Sequence, residues 1–367
     1  MRMPVRMRWL GLLAFVLMAP ACAPEAPPPL VPSPMPSVPP APPLPPPPAP
    51  LDDTPPPKPV MADAQRRYLV ELEAGLAARD AKKVAALYST GAVLTSAGKD
   101  GVHESMGRPE IEAARARGFA VMGKAFPDVK WAHTRALQSG DVMVVEWIGT
   151  GTDTGGFLDD KPTGKKVGWR GISILWFDDD GLVRREHGVL DPLTILGQLG
   201  RDPATRKVRA PLLPTAVATT FVVAKGSPEE QKNLEAAKAM YPLVAKKDDK
   251  ALLAMLTDDV VHSDLTQPDD VKGKDGVKKE LGGWRKAFPD LEIRATQGWA
   301  FGDIVVTEVA TTGTFKGPLG ALPPNGKTAT THGVDVIELK DGKIARMTSY
   351  ANGRELLVQY DLLPAKK

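Results

Sequence analysis

Lys124-Ala125-Phe126-Pro127-Asp128-Val129 is written a second time in this chain, as Lys286-Ala287-Phe288-Pro289-Asp290-Leu291. The repetition continues outward. Gly140-Asp141-Val142 returns as Gly302-Asp303-Ile304, and Gly149-Thr150-Gly151-Thr152 as Thr311-Thr312-Gly313-Thr314. Each copy then runs through a Gly-Lys pair (Gly164-Lys165, Gly326-Lys327), a strand of glycine and apolar residues, an Asp-Gly turn and an amphipathic C-terminal helix. Phe126 and Phe288 are 162 residues apart. Solenoid repeats have periods of only ~20–50 residues, so the repeat is a whole domain present twice.

Within one copy, helical and extended patterns are segregated. Ala64, Tyr68, Leu72 and Leu76 recur at spacing four and predict a helix over residues 61–79. Asp80 breaks it, and a short helix follows over 82–88. The second copy repeats this with helices over 234–245 and 251–256, broken at Asp248-Asp249. Short strands are expected over 92–96 and 260–264, and third helices over 109–124 and 275–286. Strands over 129–138, 142–151, 166–177 and 182–190 complete the first copy, with a last helix over 192–199 and its twin over 353–360. The turn Lys340-Asp341-Gly342 is a strong hairpin signal. Helices followed by a long meander read as α+β, a curved sheet wrapping helices into a cone. Residues 61–200 and 227–367 are the two domains, and 201–226 connect them.

The N-terminus reads as an export signal over residues 1–21. Arg2, Arg6 and Arg8 precede an apolar run from Trp9 to Ala19, and Ala19-Pro20-Ala21 is a small-residue cleavage site. Cys22, the single cysteine, follows at once. This arrangement resembles a bacterial lipoprotein signal, which implies lipidation at Cys22 and a membrane anchor in the cell envelope. Ordinary cleavage leaving a soluble exported protein is the alternative. Residues 22–60 form a proline-rich tether, expected to be disordered and extended, holding 20 of the 37 prolines. Three of the 47 basic residues fall in the signal, leaving 44 against 44 acidic ones. Without a basic stripe, nucleic acid is not an expected partner.

The segments Thr152-Asp153-Thr154-Gly155-Gly156-Phe157 and Pro162-Thr163-Gly164-Lys165-Lys166 resemble the SnoaL-like ester cyclase (polyketide cyclase) pattern. So does the ending Asp191-Pro192-Leu193-Thr194-Ile195-Leu196-Gly197-Gln198-Leu199-Gly200. The resemblance covers both copies and implies a nuclear-transport-factor-2-like cone in each. It matches Asp191 to the acidic residue that such cyclases use for proton transfer. Asp191 also has the position of a helix cap, just before Pro192 at the first helical residue.

Pairing Phe177 with Leu182 puts Arg170 opposite Val189. Strand alternation then sets Arg170, His187 and Asp191 on one face with Ile172, Ile174 and Trp176, expected to be the pocket side. In the second copy His332 replaces Arg170, Tyr350 replaces Val189 and Asn352 replaces Asp191; His332 is expected opposite Tyr350. His332, Tyr350 and Asn352 line that copy's pocket in this reading. Because Asn352 cannot serve as a carboxylate base, the first copy is the expected site of any cyclase or isomerase chemistry, with Arg170 or His187 positioning an oxygen. Glu146 and Glu308 read as exposed strand residues. His262 and Asp264 share a strand face, but two ligands do not make a metal site. Of the tryptophans, most are expected in the core and one or two at a pocket.

The expectation is an exported tandem protein binding a small apolar molecule without a cofactor. The alternative is a non-enzymatic binding or scaffolding module of the envelope. The two copies are expected to dock through their sheets as an intramolecular pseudo-dimer.

Overall fold

The computed structural model describes residues 59–98, 101–202, 207–213, 218–320 and 322–363. The expected signal, Cys22 and all but the end of the tether lie outside the described residues. The first copy begins with α1 (Pro59–Ala78) and α2 (Ala81–Ala85), the latter capped by Asp80 accepting from the Lys83 backbone N–H. Next come β1 (Tyr88–Gly98), β2 (Gly101–Met106) and α3 (Gly107–Ala125). Then follow β3 (Lys130–Ser139), β4 (Val142–Thr152), β5 (Lys166–Phe177), β6 (Val183–Leu190) and α4 (Pro192–Leu199). The connection between copies contributes a strand of its own, β7 (Thr220–Val223), which pairs with β3 at the sheet edge.

The second copy repeats the order. It has α5 (Pro228–Lys246), α6 (Asp249–Ala254), β8 (Leu256–Asp264), β9 (Val271–Lys272) and α7 (Gly273–Ala287). It finishes with β10 (Glu292–Phe301), β11 (Ile304–Thr314), β12 (Thr328–Lys340), β13 (Lys343–Ala351) and α8 (Gly353–Gln359). The sheet orders are β2-β1-β6-β5-β4-β3-β7 and β10-β11-β12-β13-β8-β9. All pairings are antiparallel except β1 with β6, β8 with β13 and the edge strand β7 with β3.

The repeated hexapeptide is the corner of each cone. Asp128 accepts from the Thr152 N–H and hydroxyl, both at 2.7 Å. Asp290 does the same with Thr314, at 2.7 and 2.5 Å. Burial pushes both carboxyls up, as the largest single effect at Asp128 and a lesser one at Asp290, but the hydrogen bonds together hold both below the usual Asp value. Phe126 and Phe288 drop into the core beside Gly151 and Gly313, where a Cβ would stand 2.7 and 3.0 Å from the respective phenylalanine Cβ. The carbonyl of Ala125 at the end of α3 takes the N–H groups of Thr154 and Gly155; that of Ala287 takes Lys316 and Gly317. A helix terminus that would leave its carbonyl unsatisfied is thereby closed by the loop that follows the second long strand.

Two hairpin registers differ from the expected ones. A bulge after Trp176 pairs Ile172 with Val189 and Ile174 with His187, which brings Arg170 level with Asp191. The two-residue Asp341-Gly342 turn, with both residues at positive φ, plus a bulge after Glu338, pairs Val334 with Tyr350. Tyr350 therefore faces Val334 and not His332. Both changes are shifts by two, so each residue keeps its expected face.

That face has a different destination from the expected one. Ile172, Ile174, Trp176 and Val189 lie in one buried cluster with Phe301, Val306, Val334, Val336 and Tyr350 of the second copy. The face expected to line a pocket is the layer between the two sheets. The helices of each cone cover the opposite face, where Leu175 and Phe177 pack on Tyr68, Leu69 and Ile111. Trp176 meets Trp299 edge-on across the layer, with ring centres 5.9 Å apart.

Glu146 and Glu308 lie inside this layer as well, 4% and 6% exposed, which corrects their reading as solvated residues. Glu146 pairs with Arg135 and accepts the Tyr350 hydroxyl at 2.6 Å; Glu308 holds His187 at 2.5 Å. Arg135 also reaches Glu338 at 2.8 Å. Buried charges persist where they are paired and hydrogen-bonded.

Candidate functional site

The two cones have different contents. At three equivalent strand positions the first copy carries Trp131, Trp147 and Trp169, and the second carries Ile293, Val309 and Thr331. Trp131 stands edge-on to both Trp147 and Trp169, at 5.4 Å in each case, and Phe126 packs on Trp169 at 5.9 Å. Glycines admit the indoles. A Cβ at Gly149 would come within 2.3 Å of Trp169, and one at Gly171 within 2.2 Å of Trp147.

Polar side chains fill the rest of the first cone. Glu186 accepts from Arg115 at 2.7 Å, from Ser173 at 3.1 Å and from the Tyr88 hydroxyl. Burial and the Glu186 charge together raise the Tyr88 pKa, against the pull of Arg115.

The second cone is hollow. A cavity of ≈ 630 Å³ lies between its helices and sheet, bordered by Ile293, Val309 and Thr331 in place of the three indoles. Its lining is mostly apolar, with Met240, Leu252, Trp284, Phe288 and Leu356 among the larger contributors. Small-molecule pockets commonly measure ~300–1,000 Å³ and have this character, apolar with a few polar groups.

The polar groups form one connected chain along the wall. Tyr241 on α5 donates to Asp335 Oδ2 at 2.9 Å, and its oxygen is 2.5 Å from the Thr307 hydroxyl. Ser349 on β13 donates to Asp335 Oδ1 at 2.6 Å. His262 on β8 places Nε2 3.0 Å from the Ser349 oxygen and Nδ1 2.6 Å from Glu280 on α7. Because Ser349 spends its proton on Asp335, its oxygen receives the His262 Nε2–H, while Nδ1–H goes to Glu280. Both ring nitrogens then donate, which is the imidazolium form.

The electrostatics agree with that assignment. Burial alone would lower the His262 pKa, but the bond to Glu280 and the charges of Glu280, Asp264 and Asp335 raise it. Burial raises the Asp335 pKa, only partly offset by its bonds from Ser349 and Tyr241. An acid and a base with displaced proton affinities on the wall of a cavity are what acid–base chemistry requires.

The residues singled out in the sequence are distributed as follows. His332, Tyr350 and Asn352 border the cavity, as do His262 and Asp264. His332 is half-exposed and 3.1 Å from Glu355, whose hydrogen bond raises its pKa. Asn352 caps α8 through the Arg354 and Glu355 N–H groups.

In the first copy Asp191 is buried, caps α4 through the Leu193 N–H at 3.2 Å, and takes the Thr194 hydroxyl at 2.9 Å. Arg170 is 3.3 Å from the Tyr350 hydroxyl, and His187 faces Glu308. Arg170, His187 and Asp191 thus share the sheet–sheet layer, where Arg170 and Asp191 border a pocket of only ≈ 30 Å³. Among the described residues no cluster of His, Cys, Asp or Glu has the makings of a metal site.

Tyr241, Glu280, Asp335 and Ser349 carry no motif, because they come from four separate elements. The signal within reach was the comparison of copies: three tryptophans in one become Ile, Val and Thr in the other.

Two helix-on-sheet cones, one holding three indoles where the other has a largely apolar cavity, define an α+β protein. The profile of SnoaL-like polyketide cyclases matches residues 77–199 and again 234–360, well over half of the chain, and the chain belongs to that family. Among solved structures it is similar to a protein assigned as a SnoaL-like polyketide cyclase from Jannaschia sp. CCS1. That match has 21% identity and a TM-score of 0.35, covering 38% of this chain and 97% of the other. A protein assigned as a polyketide cyclase from Xanthomonas campestris pv. campestris matches at 26% identity and TM-score 0.31, covering 36% and 98%. A protein described as an LEH-like epoxide hydrolase of M. tuberculosis matches at 20% identity and TM-score 0.30, covering 37% and 88%. No protein of curated description matches the chain significantly.

Proposed function

We propose that the second copy binds a small, largely apolar molecule bearing a carbonyl group and shifts a proton at the carbon beside it. This is chemistry of the isomerase or cyclase type. The observation that carries this is the hollow cone with a single continuous polar chain on its wall. Asp335 is the base: burial raises its proton affinity, and Tyr241 and Ser349 orient it. The Tyr241 hydroxyl, turning from Asp335, and the Nε2–H of the protonated His262, turning from Ser349, are the donors that would meet negative charge as it develops on the carbonyl oxygen. Glu280 keeps His262 protonated and fixes its ring. Such a proton shift needs only a base and a donor to oxygen, so the reading calls for no cofactor.

One observation favours binding without chemistry. Every member of the chain already has a protein partner, as expected of a wall that only orients a ligand.

α-Tetralone, an apolar bicyclic ketone with exchangeable protons beside its carbonyl, separates the two. Proton NMR in D₂O should show faster loss of the C2 proton signal with the wild-type protein than with Asp335→Asn or His262→Gln. The expected gap is ~10²–10⁴-fold, the usual worth of a positioned acid or base. Calorimetric binding with equal exchange rates in all three proteins would establish the binding module and remove the catalytic reading.

A further inference from the structure

The first cone is closed by its own side chains, yet its outer surface reaches the walls of the second. Asp191 Oδ1, besides capping its own helix, accepts the N–H of Gly353 at 3.1 Å. That N–H opens α8, the helix whose Leu356 and Leu357 border the cavity. Leu357 is buried in one cluster with Leu193, Leu196 and Leu199 of α4. On the neighbouring strand, Tyr350 borders the cavity and donates its hydroxyl to Glu146 of the first copy at 2.6 Å, with the Arg170 guanidinium against its ring at 5.8 Å.

The hollow copy's closing helix and one of its wall tyrosines are therefore each tied to a carboxylate of the filled copy. We propose that the first copy is a pseudo-subunit: it takes no ligand in its own cone, and Asp191 and Glu146 act as positioning residues for the second copy's cavity. This rests on reading that cavity as a binding site. Asp191 holds no proton in the reaction under this proposal. Its task is to seat α8, and Asn retains the oxygen that does so.

Two measurements on the full chain test it. The first is amide hydrogen exchange, read by mass spectrometry, in the segments 192–199 and 353–360. Asp191→Ala should speed exchange in both segments, roughly two- to tenfold in 353–360, the worth of one hydrogen bond. Asp191→Asn should restore the slow exchange. A residue serving only as the cap of α4 would change 192–199 and leave 353–360 untouched, and that result would overturn the positioning role.

The second is the binding of benzene, a small probe of apolar cavity space. Benzene should bind the wild-type chain in the second cone, whose ≈ 630 Å³ has room for more than one molecule. Ile293→Trp, Val309→Trp and Thr331→Trp together, with Thr311→Gly to supply the glycine that admits the indole in the first cone, should abolish binding by copying that plug, and Val309→Trp alone, facing Gly333, should weaken it. Binding undiminished in both folded variants would place a site in the first cone and overturn the pseudo-subunit. No binding to wild type would remove the functional reading of the second cone, and the exchange comparison would then decide the role of Asp191 by itself.

Discussion

His262 sits where three carboxylates converge, and its protonation is part of the fold. Its pKa is raised in the folded protein, so folding favours the protonated ring. The stability this contributes is complete below the ordinary imidazole value of 6.5 and is lost as pH rises through the higher folded value. Chemical denaturation of the full chain should therefore show stability declining from about pH 6.5 upward on account of this ring, and His262→Gln should flatten that part of the profile. An unchanged slope in the variant would mean that another group titrates there. His332, raised by Glu355, titrates in the same direction; a His332→Gln control isolates the buried ring. None of this was legible from His262 in the sequence. Its neighbour Asp264 was visible two residues away, but Glu280 and Ser349 come from a helix and a strand that only the folded sheet brings to it.

The corner made by α3, β4 and the loop after it depends on a glycine for a reason that separates the two copies. At Gly151 a methyl group would lie 2.7 Å from Phe126 Cβ, closer than real contacts allow; at Gly313 the distance to Phe288 Cβ is 3.0 Å. Gly151→Ala should destabilise the protein by roughly 1–3 kcal/mol, the typical cost of overpacking a filled core. Gly313→Ala should cost less, because the phenylalanine there borders a cavity into which it can yield. Denaturant midpoints of the two variants check the order, and equal losses would mean that the hollow cone is as stiff as the filled one.

The elements themselves were legible because their signals are local. The span 166–177 and the helix 192–199 are found as expected, and the Asp341-Gly342 hairpin is in place. The use of each face was not legible. Ile172, Ile174 and Trp176 alternate with Trp169, Leu175 and Phe177, so β5 is apolar on both sides. Alternation assigns residues to faces but does not say which face helices cover and which another sheet covers.

At the scale of the molecule, the sheet–sheet layer joins the copies through apolar side chains and through buried charge. Separating them would expose Ile172, Ile174 and Trp176 and leave His187 and Glu146 without Glu308 and Tyr350. We expect fragment 61–200 to self-associate in sedimentation and 61–367 to remain monomeric; a monomeric 61–200 would show that the face is stable in water. The layer has one further property. Glu146 and Glu308 stand at equivalent positions, but one receives a tyrosine and the other a histidine, because Tyr350 answers to Val189 and His187 to Thr348. In a dimer of identical chains every substitution appears twice, once on each side of the axis, and a change that suits one side must also be tolerated on the other. A gene carrying both copies in series is released from that condition. Each half can drift alone, and tryptophans can accumulate in one cone without closing its sibling.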